Sequence, residues 1–151
     1  MFFMISFILS WIAWIFLADK SRWRELFPVC LLASFLGLTT DTLMNYYQLW
    51  GYSGSEHPLL GTFADDLGIY IVVTYLFIQW LPQQRTPRNM LAYWLIWTVF
   101  AILIEHFYLV TGHMYYRQWW NPWYSYLADW FLFWLFYKFH KTFQFSRLSK
   151  K

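Results

Sequence analysis

The chain has 151 residues, of which 60% are hydrophobic, 26% are aromatic and only 13% are charged, with a formal net charge of +3. A soluble domain carries about 25% charged residues, so this composition excludes an ordinary water-soluble protein and indicates an integral membrane protein. At about 20 residues per span, the chain has room for about five membrane helices and none for a separate soluble domain. We therefore predict a single all-α membrane domain over residues 1–151.

Five apolar segments predict five transmembrane helices. They cover about residues 2–18, 26–47, 62–81, 90–111 and 123–140. Each is long enough to cross a hydrocarbon core about 30 Å thick, and turn-forming Gly and Pro residues lie between them. We expect the first segment to be a retained helix, because its positive charges follow it, whereas a cleaved signal peptide carries them in front.

The basic residues predict the orientation of these helices. Ten of the eleven Lys and Arg residues fall in the first and third loops or near the C-terminus, and Arg117 alone lies on the other side. The positive-inside rule then places the protein in the cell membrane with its N-terminus outside and its C-terminus in the cytoplasm. The expected partners are membrane lipids, with anionic lipid at the basic C-terminal tail and no nucleic acid; an oligomer stays open.

Four acidic residues lie at one depth in the predicted helices. Asp41, Asp66 and Glu105 are each about 15 residues, or roughly 22 Å, from the predicted cytoplasmic boundary, and Asp129 is roughly 18 Å from it. One ionised carboxylate near the bilayer centre costs about 2.5 to 3.5 kcal/mol, so we expect all four to point inward and converge in the outer half of the bundle. The remaining acids outside this layer are assigned to loops: Asp19, Glu25 and Glu56.

Other polar residues near this layer extend the candidate site. His106 is adjacent to Glu105 and is predicted as its counter-ion or co-ligand. Supporting polar groups are expected from Asn45, Asp65, His113 and Ser125. Carboxylates alone would suit a hard, oxygen-preferring divalent cation, whereas a histidine ligand would also allow zinc or a transition metal. The identity of any cofactor is therefore left open.

A shift of 64 residues aligns the two halves of the chain without a gap. It carries Asp41 onto Glu105, Pro58 onto Pro122, and the pair Ala64 and Asp65 onto Ala128 and Asp129. The shift suggests that helices two and three repeat as helices four and five, with the N-terminal helix outside the repeat. Two such hairpins would be related by an axis along the membrane normal, as in some transporters.

With these residues in view, the chain resembles a family of small multi-pass membrane proteins of spore-forming Gram-positive bacteria. The likeness covers nearly the whole chain. It rests on Asp41 with the Tyr-Tyr pair that follows it, on Asp-Asp-Leu-Gly-Ile-Tyr at 65–70, on Thr-Gly-His at 111–113, on Trp-Trp-Asn at 119–121 and on Tyr-Leu-Ala-Asp-Trp at 126–130. The resemblance implies a cell-membrane location and no particular reaction.

Two classes of function follow from the acid layer. In the first, it binds a proton, a cation or a cationic headgroup from the outer side, for transport or for chemistry on lipid. In the second, the protein is a non-catalytic membrane scaffold or partner, and its protonated acids only hold helices together. Whether the protein is an enzyme stays open. A water-filled, outward-opening cavity that reaches Glu105 and Asp129 would favour the first class.

Overall fold

Helices make up most of the described chain, which covers residues 1–54 and 58–149 of a computed structural model. The helical elements are α1 (Phe2–Leu17), α2 (Trp23–Tyr46), α3 (Pro58–Ala64), α4 (Tyr70–Gln79), α5 (Pro87–Val110) and α6 (Pro122–Thr142). A π turn over Asp65–Ile69 joins α3 to α4, and the three together form one continuous third helix. The predicted predominantly helical fold with five helices is thus confirmed for this part of the chain.

Three of these helices are long and apolar enough to cross a membrane. They span Lys20–Tyr46, Leu59–Gln79 and Pro87–Val110. By contrast, α1 has 16 residues and is therefore only about 24 Å long. Along its 21 residues, α6 carries the charged residues Asp129, Lys138 and Lys141.

Local capping explains why several helices begin before the predicted boundary. The side chain of Thr86 accepts a hydrogen bond from the backbone of Asn89 at 3.3 Å, with Pro87 as the first helical residue. Asn121 likewise caps the helix that begins with Pro122. A polar cap followed by proline is a strong helix start, because proline lacks the N–H that would otherwise be unpaired there.

The third helix begins at Pro58, before the predicted start at residue 62. Asp65 and Asp66 therefore lie in the middle of this helix, in the π turn, and not in a first turn where the helix dipole would favour acids. A π turn holds one extra residue per turn and occurs frequently at functional sites. Interaction with the dipole at a helix N-terminus therefore does not account for these two acids.

The bundle packs as two helix pairs with α1 on one side. The third helix lies against α2, while α5 lies against α6, and α1 packs on α3, the π turn and α4. The core is rich in aromatic rings, including Tyr75, Phe77 and Phe133. The outer faces are also apolar, and they expose large side chains such as Ile8, Phe16, Leu95 and Leu103. Apolar surface on this scale is unusual on a monomer in water.

A short antiparallel sheet connects two loops at one end of the bundle. Strand β1 (Trp50–Tyr52) follows α2, and strand β2 (Met114–Tyr116) follows α5. Gly51 pairs with Tyr115 at the centre of the register. The predictions did not include this sheet, because strands of three residues are too short to show an alternating pattern.

The elements of the two halves recur at the offset of 64 residues. The helices α2 and α5 each have 24 residues, and they begin and end 64 positions apart. The strands β1 and β2 show the same offset. The left-handed residues also follow it, since Gln48 (φ 56°) corresponds to Gly112 (φ 74°), and Gly54 (φ 75°) to Gln118 (φ 53°).

The opposite end of the bundle holds a buried ionic cluster around Glu25. This acid was assigned to a loop, but it lies in the first turn of α2 and its side chain is only 2% exposed. Its carboxylate accepts hydrogen bonds from Arg22 at 2.7 Å, from Ser149 at 2.6 Å and, at 2.9 Å, pairs with Nε2 of His140. The cluster joins the start of α2 to the end of α6 and the C-terminal segment. Glu56 lies outside the described residues.

Candidate functional site

Three aspartates form a compact group where α2 crosses the π turn. One carboxylate oxygen from each of Asp41, Asp65 and Asp66 lies within 4.8 Å of the other two. Asp66 is fully buried, Asp41 is 7% exposed and Asp65 is half-buried. We refer to these three residues as the aspartate cluster. Its donor set consists only of oxygens, which is the set preferred by hard cations such as Ca²⁺, Mg²⁺ and Mn²⁺.

A glycine in α2 allows the π turn to approach closely enough to form this cluster. Gly37 lies one helical turn before Asp41, and a Cβ atom added to it would lie 2.1 Å from Oδ1 of Asp66. Any larger residue at position 37 would therefore have to displace the Asp66 carboxylate. Because Gly37 has no side chain, Asp66 can approach the helix that carries Asp41.

Hydrogen bonds satisfy only part of the aspartate cluster. Trp50 Nε1 donates to Oδ1 of Asp41 at 3.0 Å, and the Tyr52 hydroxyl donates to Oδ2 of Asp65 at 2.8 Å. In contrast, Oδ2 of Asp41 and both carboxylate oxygens of Asp66 are buried without a hydrogen-bond partner among the described residues. Burial of an unpaired carboxylate is costly, and a cation, a proton or a buried water molecule would each reduce that cost.

A cavity of about 340 Å³ lies next to the cluster, and acids from four elements line it. Asp41 of α2, Asp65 of the π turn, Glu105 of α5 and Asp129 of α6 all line it, and we call it the acid cavity. Its other lining is largely aliphatic and aromatic, and no Lys, Arg or His side chain belongs to it within the described chain. Asp66 lies beside the cavity without lining it. Three of the four acids expected to converge therefore share one cavity, and the fourth is in contact range of Asp41.

A polar network holds Glu105 at the cavity wall. Its Oε1 accepts hydrogen bonds from the Tyr116 hydroxyl and from Ser125 Oγ, the latter at 2.7 Å. Ser125 in turn accepts a hydrogen bond from Trp120 Nε1 at 2.9 Å. The predicted supporting role of Ser125 thus has a geometric basis, because this hydroxyl joins α6 to the acid on α5.

Three other predicted site residues do not line the cavity. His106 is exposed and does not line the cavity, because adjacent residues on a helix point in different directions. Asn45 is also exposed. The half-buried ring of His113 stacks on Phe2 with centroids 3.7 Å apart, so it fastens the start of α1 to the loop after α5.

The sequence-based site omitted the aromatic donors on the two strands. Trp50 and Tyr52 come from β1, and Tyr116 comes from β2. A signal for them was available in the 64-residue offset, which relates Tyr52 to Tyr116 as it relates Asp41 to Glu105. Each of these two tyrosines donates a hydrogen bond to an acid of the cavity.

No protein-family model, curated protein or solved structure matches this chain. The site therefore has to be interpreted from its own chemistry. An apolar cavity lined by several carboxylates and by no basic side chain among the described residues attracts positive charge. Binding of a cation or uptake of protons is what this arrangement can do.

Proposed function

We propose that the chain is a multi-pass cell-membrane protein with five transmembrane helices, an outer N-terminus and a cytoplasmic C-terminus. The three long apolar helices and the apolar outer faces of the bundle support this proposal. The charge split supports the orientation, since the basic loops lie at the end that holds Glu25, whereas Arg117 follows β2 at the other end. Membership of the family of spore-former membrane proteins that it resembles is part of the same proposal.

The two halves of the bundle are a tandem repeat in this proposal. One unit comprises α2 and the third helix, and the other comprises α5 and α6. The matching helix bounds, strands and left-handed residues support the repeat. Each unit then supplies two acids to the cavity: Asp41 and Asp65 from the first, and Glu105 and Asp129 at the corresponding positions of the second. A ligand site between two repeats is a common transporter arrangement.

The function that the site supports best is cation binding in the outer half of the bilayer. The carrying observation is Asp66, whose side chain is fully buried and whose two carboxylate oxygens have no hydrogen-bond partner among the described residues. Asp41 and Asp65 supply further oxygens within 4.8 Å. A cation bound by this cluster would neutralise the buried negative charge. The bound cation could then be transported or take part in chemistry at the adjacent cavity.

Thermal unfolding of the purified protein with Ca²⁺, Mg²⁺ or Mn²⁺ tests this function. At a concentration 100 times the Kd, a bound cation stabilises the folded state by about 2.7 kcal/mol, which should raise the Tm. Asp66→Asn should remove this stabilisation. Asp19→Asn, which changes an acid outside the cavity, should retain it. If none of these cations raises the Tm, or if Asp66→Asn responds like the parent, the proposed function is wrong.

A second candidate is a non-catalytic scaffold whose protonated acids hold the bundle together. The hydrogen bonds from Trp50, Tyr52 and Tyr116 to cavity acids favour it, because they tie the sheet to the helices. Under this function, Asp66→Asn and Asp41→Asn should leave a growth phenotype of a deletion strain fully complemented. Loss of complementation by a folded variant would favour the cation site.

A further inference from the structure

A second, larger space of about 630 Å³ lies between α1 and α5. Its floor is formed by α4 through Val72 and Leu76, which are buried, and its sides are formed by α1 and α5. On α5 it extends from Tyr93 to Tyr108, which corresponds to roughly 22 Å along the helix. We call this space the apolar groove. It runs along much of the depth of a hydrocarbon core about 30 Å thick.

The lining of the groove offers almost no polar group to a ligand. Ser6 and Ser10 belong to it, but each hydroxyl donates to a backbone carbonyl of its own helix, at 3.3 Å and 2.8 Å respectively. Such a bond back to the preceding turn removes the donor from the groove surface. The space is therefore suited to a hydrocarbon chain and unsuited to a polar ligand along most of its length.

The groove and the acid cavity adjoin. Four residues line both spaces: Ile69, Val73, Ile104 and Tyr108. Tyr108 is 4% exposed, and its hydroxyl is buried without a hydrogen-bond partner among the described residues. The Tyr108 hydroxyl therefore lies unpaired, among the described residues, where the apolar groove meets the acid cavity. A ligand with a hydrocarbon chain and a polar end would match this change in character.

The charge of the cavity selects the polar end of such a ligand. Asp41, Asp65, Glu105 and Asp129 line the cavity, and the described lining contains no basic residue. A phosphate or carboxylate headgroup would be repelled, whereas an ammonium group would be attracted, and the attraction is strong where the dielectric constant is low. The two volumes also fall in the range of about 300–1,000 Å³ that is usual for ligand sites.

We propose that the apolar groove binds the hydrocarbon chain of a membrane amphiphile whose ammonium headgroup lies in the acid cavity. The inference rests on the proposed cation-binding function and names a ligand class for the acid cavity, which shares Asp41 and Asp65 with the aspartate cluster. The ligand enters sideways from the bilayer through the space between α1 and α5. A small inorganic cation would use the aspartate cluster alone and leave the groove to bulk lipid.

Photo-crosslinking of the full-length protein in nanodiscs of digalactosyldiacylglycerol, an uncharged lipid without an ammonium group, tests the inference. The probes are a hexadecyl-trimethylammonium ion and hexadecanol, each with a diazirine in the chain, and the labelled peptides are identified by mass spectrometry. The ammonium probe should label α1 and α5 around the groove about tenfold more than the alcohol does, as expected for an ionic contact away from bulk water. Unlabelled hexadecyl-trimethylammonium should compete.

Variants separate the groove from the acids. Ala13→Phe places a ring in the groove and should strongly reduce the labelling, whereas Ile12→Phe places a ring at the neighbouring lipid-facing position, where the parent side chain is 43% exposed, and should not reduce it. Asp129→Asn combined with Glu105→Gln should reduce labelling by the ammonium probe to the level of the alcohol.

Three results would overturn the inference. The two probes could label the groove equally, the acid substitutions could leave labelling by the ammonium probe unchanged, or the groove could remain unlabelled. The proposed function would survive each of these results if divalent cations still raised the Tm through Asp66. If instead the ammonium probe binds as expected and no metal raises the Tm, the inference stands and the inorganic cation site is wrong.

Discussion

Gly51 faces Tyr115 at the centre of the two-stranded sheet, and these two residues are 64 positions apart. Each strand therefore pairs in antiparallel fashion with its own counterpart from the other half of the chain. The strands also carry the donors to Asp41, Asp65 and Glu105. The sheet thus joins the two loops and at the same time positions acids of the cavity from both halves.

Replacement of Tyr116 by phenylalanine should weaken the fold through Glu105. The change removes one hydrogen bond to a half-buried carboxylate, and we expect a loss of about 1 kcal/mol in the free energy of unfolding. Tyr115→Phe is the matched control, because that ring packs under Arg117, with the guanidinium carbon 4.6 Å from the ring centroid, and the change keeps the ring. Thermal unfolding measures both variants. An equal loss in the two would show that the bond to Glu105 contributes nothing.

Gly37→Ala should disturb the aspartate cluster without touching an acid. The new Cβ would lie 2.1 Å from Oδ1 of Asp66, so the carboxylate would have to leave its position in the cluster. We expect a destabilisation of about 1 to 3 kcal/mol from overpacking, together with loss of stabilisation by divalent cations. Ser34→Ala, in the same helix, should keep the cation response. A Gly37→Ala protein that responds to cations like the parent would contradict the role of the close approach.

Glu105→Gln should abolish activity while the protein stays folded. The amide oxygen of glutamine can still accept the hydrogen bonds from Tyr116 and Ser125, so the Tm should change little or rise as repulsion among the acids falls. Loss of the charge should remove function if the cavity binds a cation. Complementation of a deletion strain and thermal unfolding in parallel are the measurements. Full complementation by both Glu105→Gln and Asp129→Asn, each tested alone, would favour the scaffold function.

His140→Ala should destabilise the end of the bundle that holds Glu25. The imidazole is 3% exposed and lies 2.9 Å from the buried Glu25 carboxylate, so its removal leaves one side of that charge without a partner. The expected loss is about 1 to 3 kcal/mol. Lys141→Ala is the control, since the neighbouring lysine is exposed. Denaturant titration that gives the same free energy of unfolding for His140→Ala and the parent would refute a stabilising role of this contact.

The proposed orientation can be tested by cysteine labelling in intact cells. In a Cys30→Ser background, Gln118→Cys lies in the exposed loop after β2 and should react with an impermeant maleimide. Ser146→Cys, exposed at the other end, should react only after the cells are opened. The reverse pattern would invert the topology.

The helical architecture and the convergence of three acids on one cavity were predictable from the sequence. Apolar runs of about 20 residues predict helices irrespective of their neighbours, and the cost of burying charge forces acids inward. The 64-residue correspondence of Asp41 with Glu105 was also visible in the chain, since it requires only an alignment. Helix boundaries were less well determined, because caps such as Thr86 and Asn121 extend a helix beyond its apolar run.

Which polar residues come into contact depends on how the helices pack against one another. His106 and Glu105 are adjacent in α5 but point in different directions, so His106 is exposed while Glu105 is half-buried. The π turn brings both Asp65 and Asp66 close to Asp41. The close approach depends on Gly37, and the donors Trp50, Tyr52 and Tyr116 come from strands too short to predict. Burial of Glu25 with His140, which are 115 residues apart, likewise follows from packing at the end of the bundle. Contacts of this kind depend on the relative position of whole helices, and the local pattern of a single chain does not encode that position.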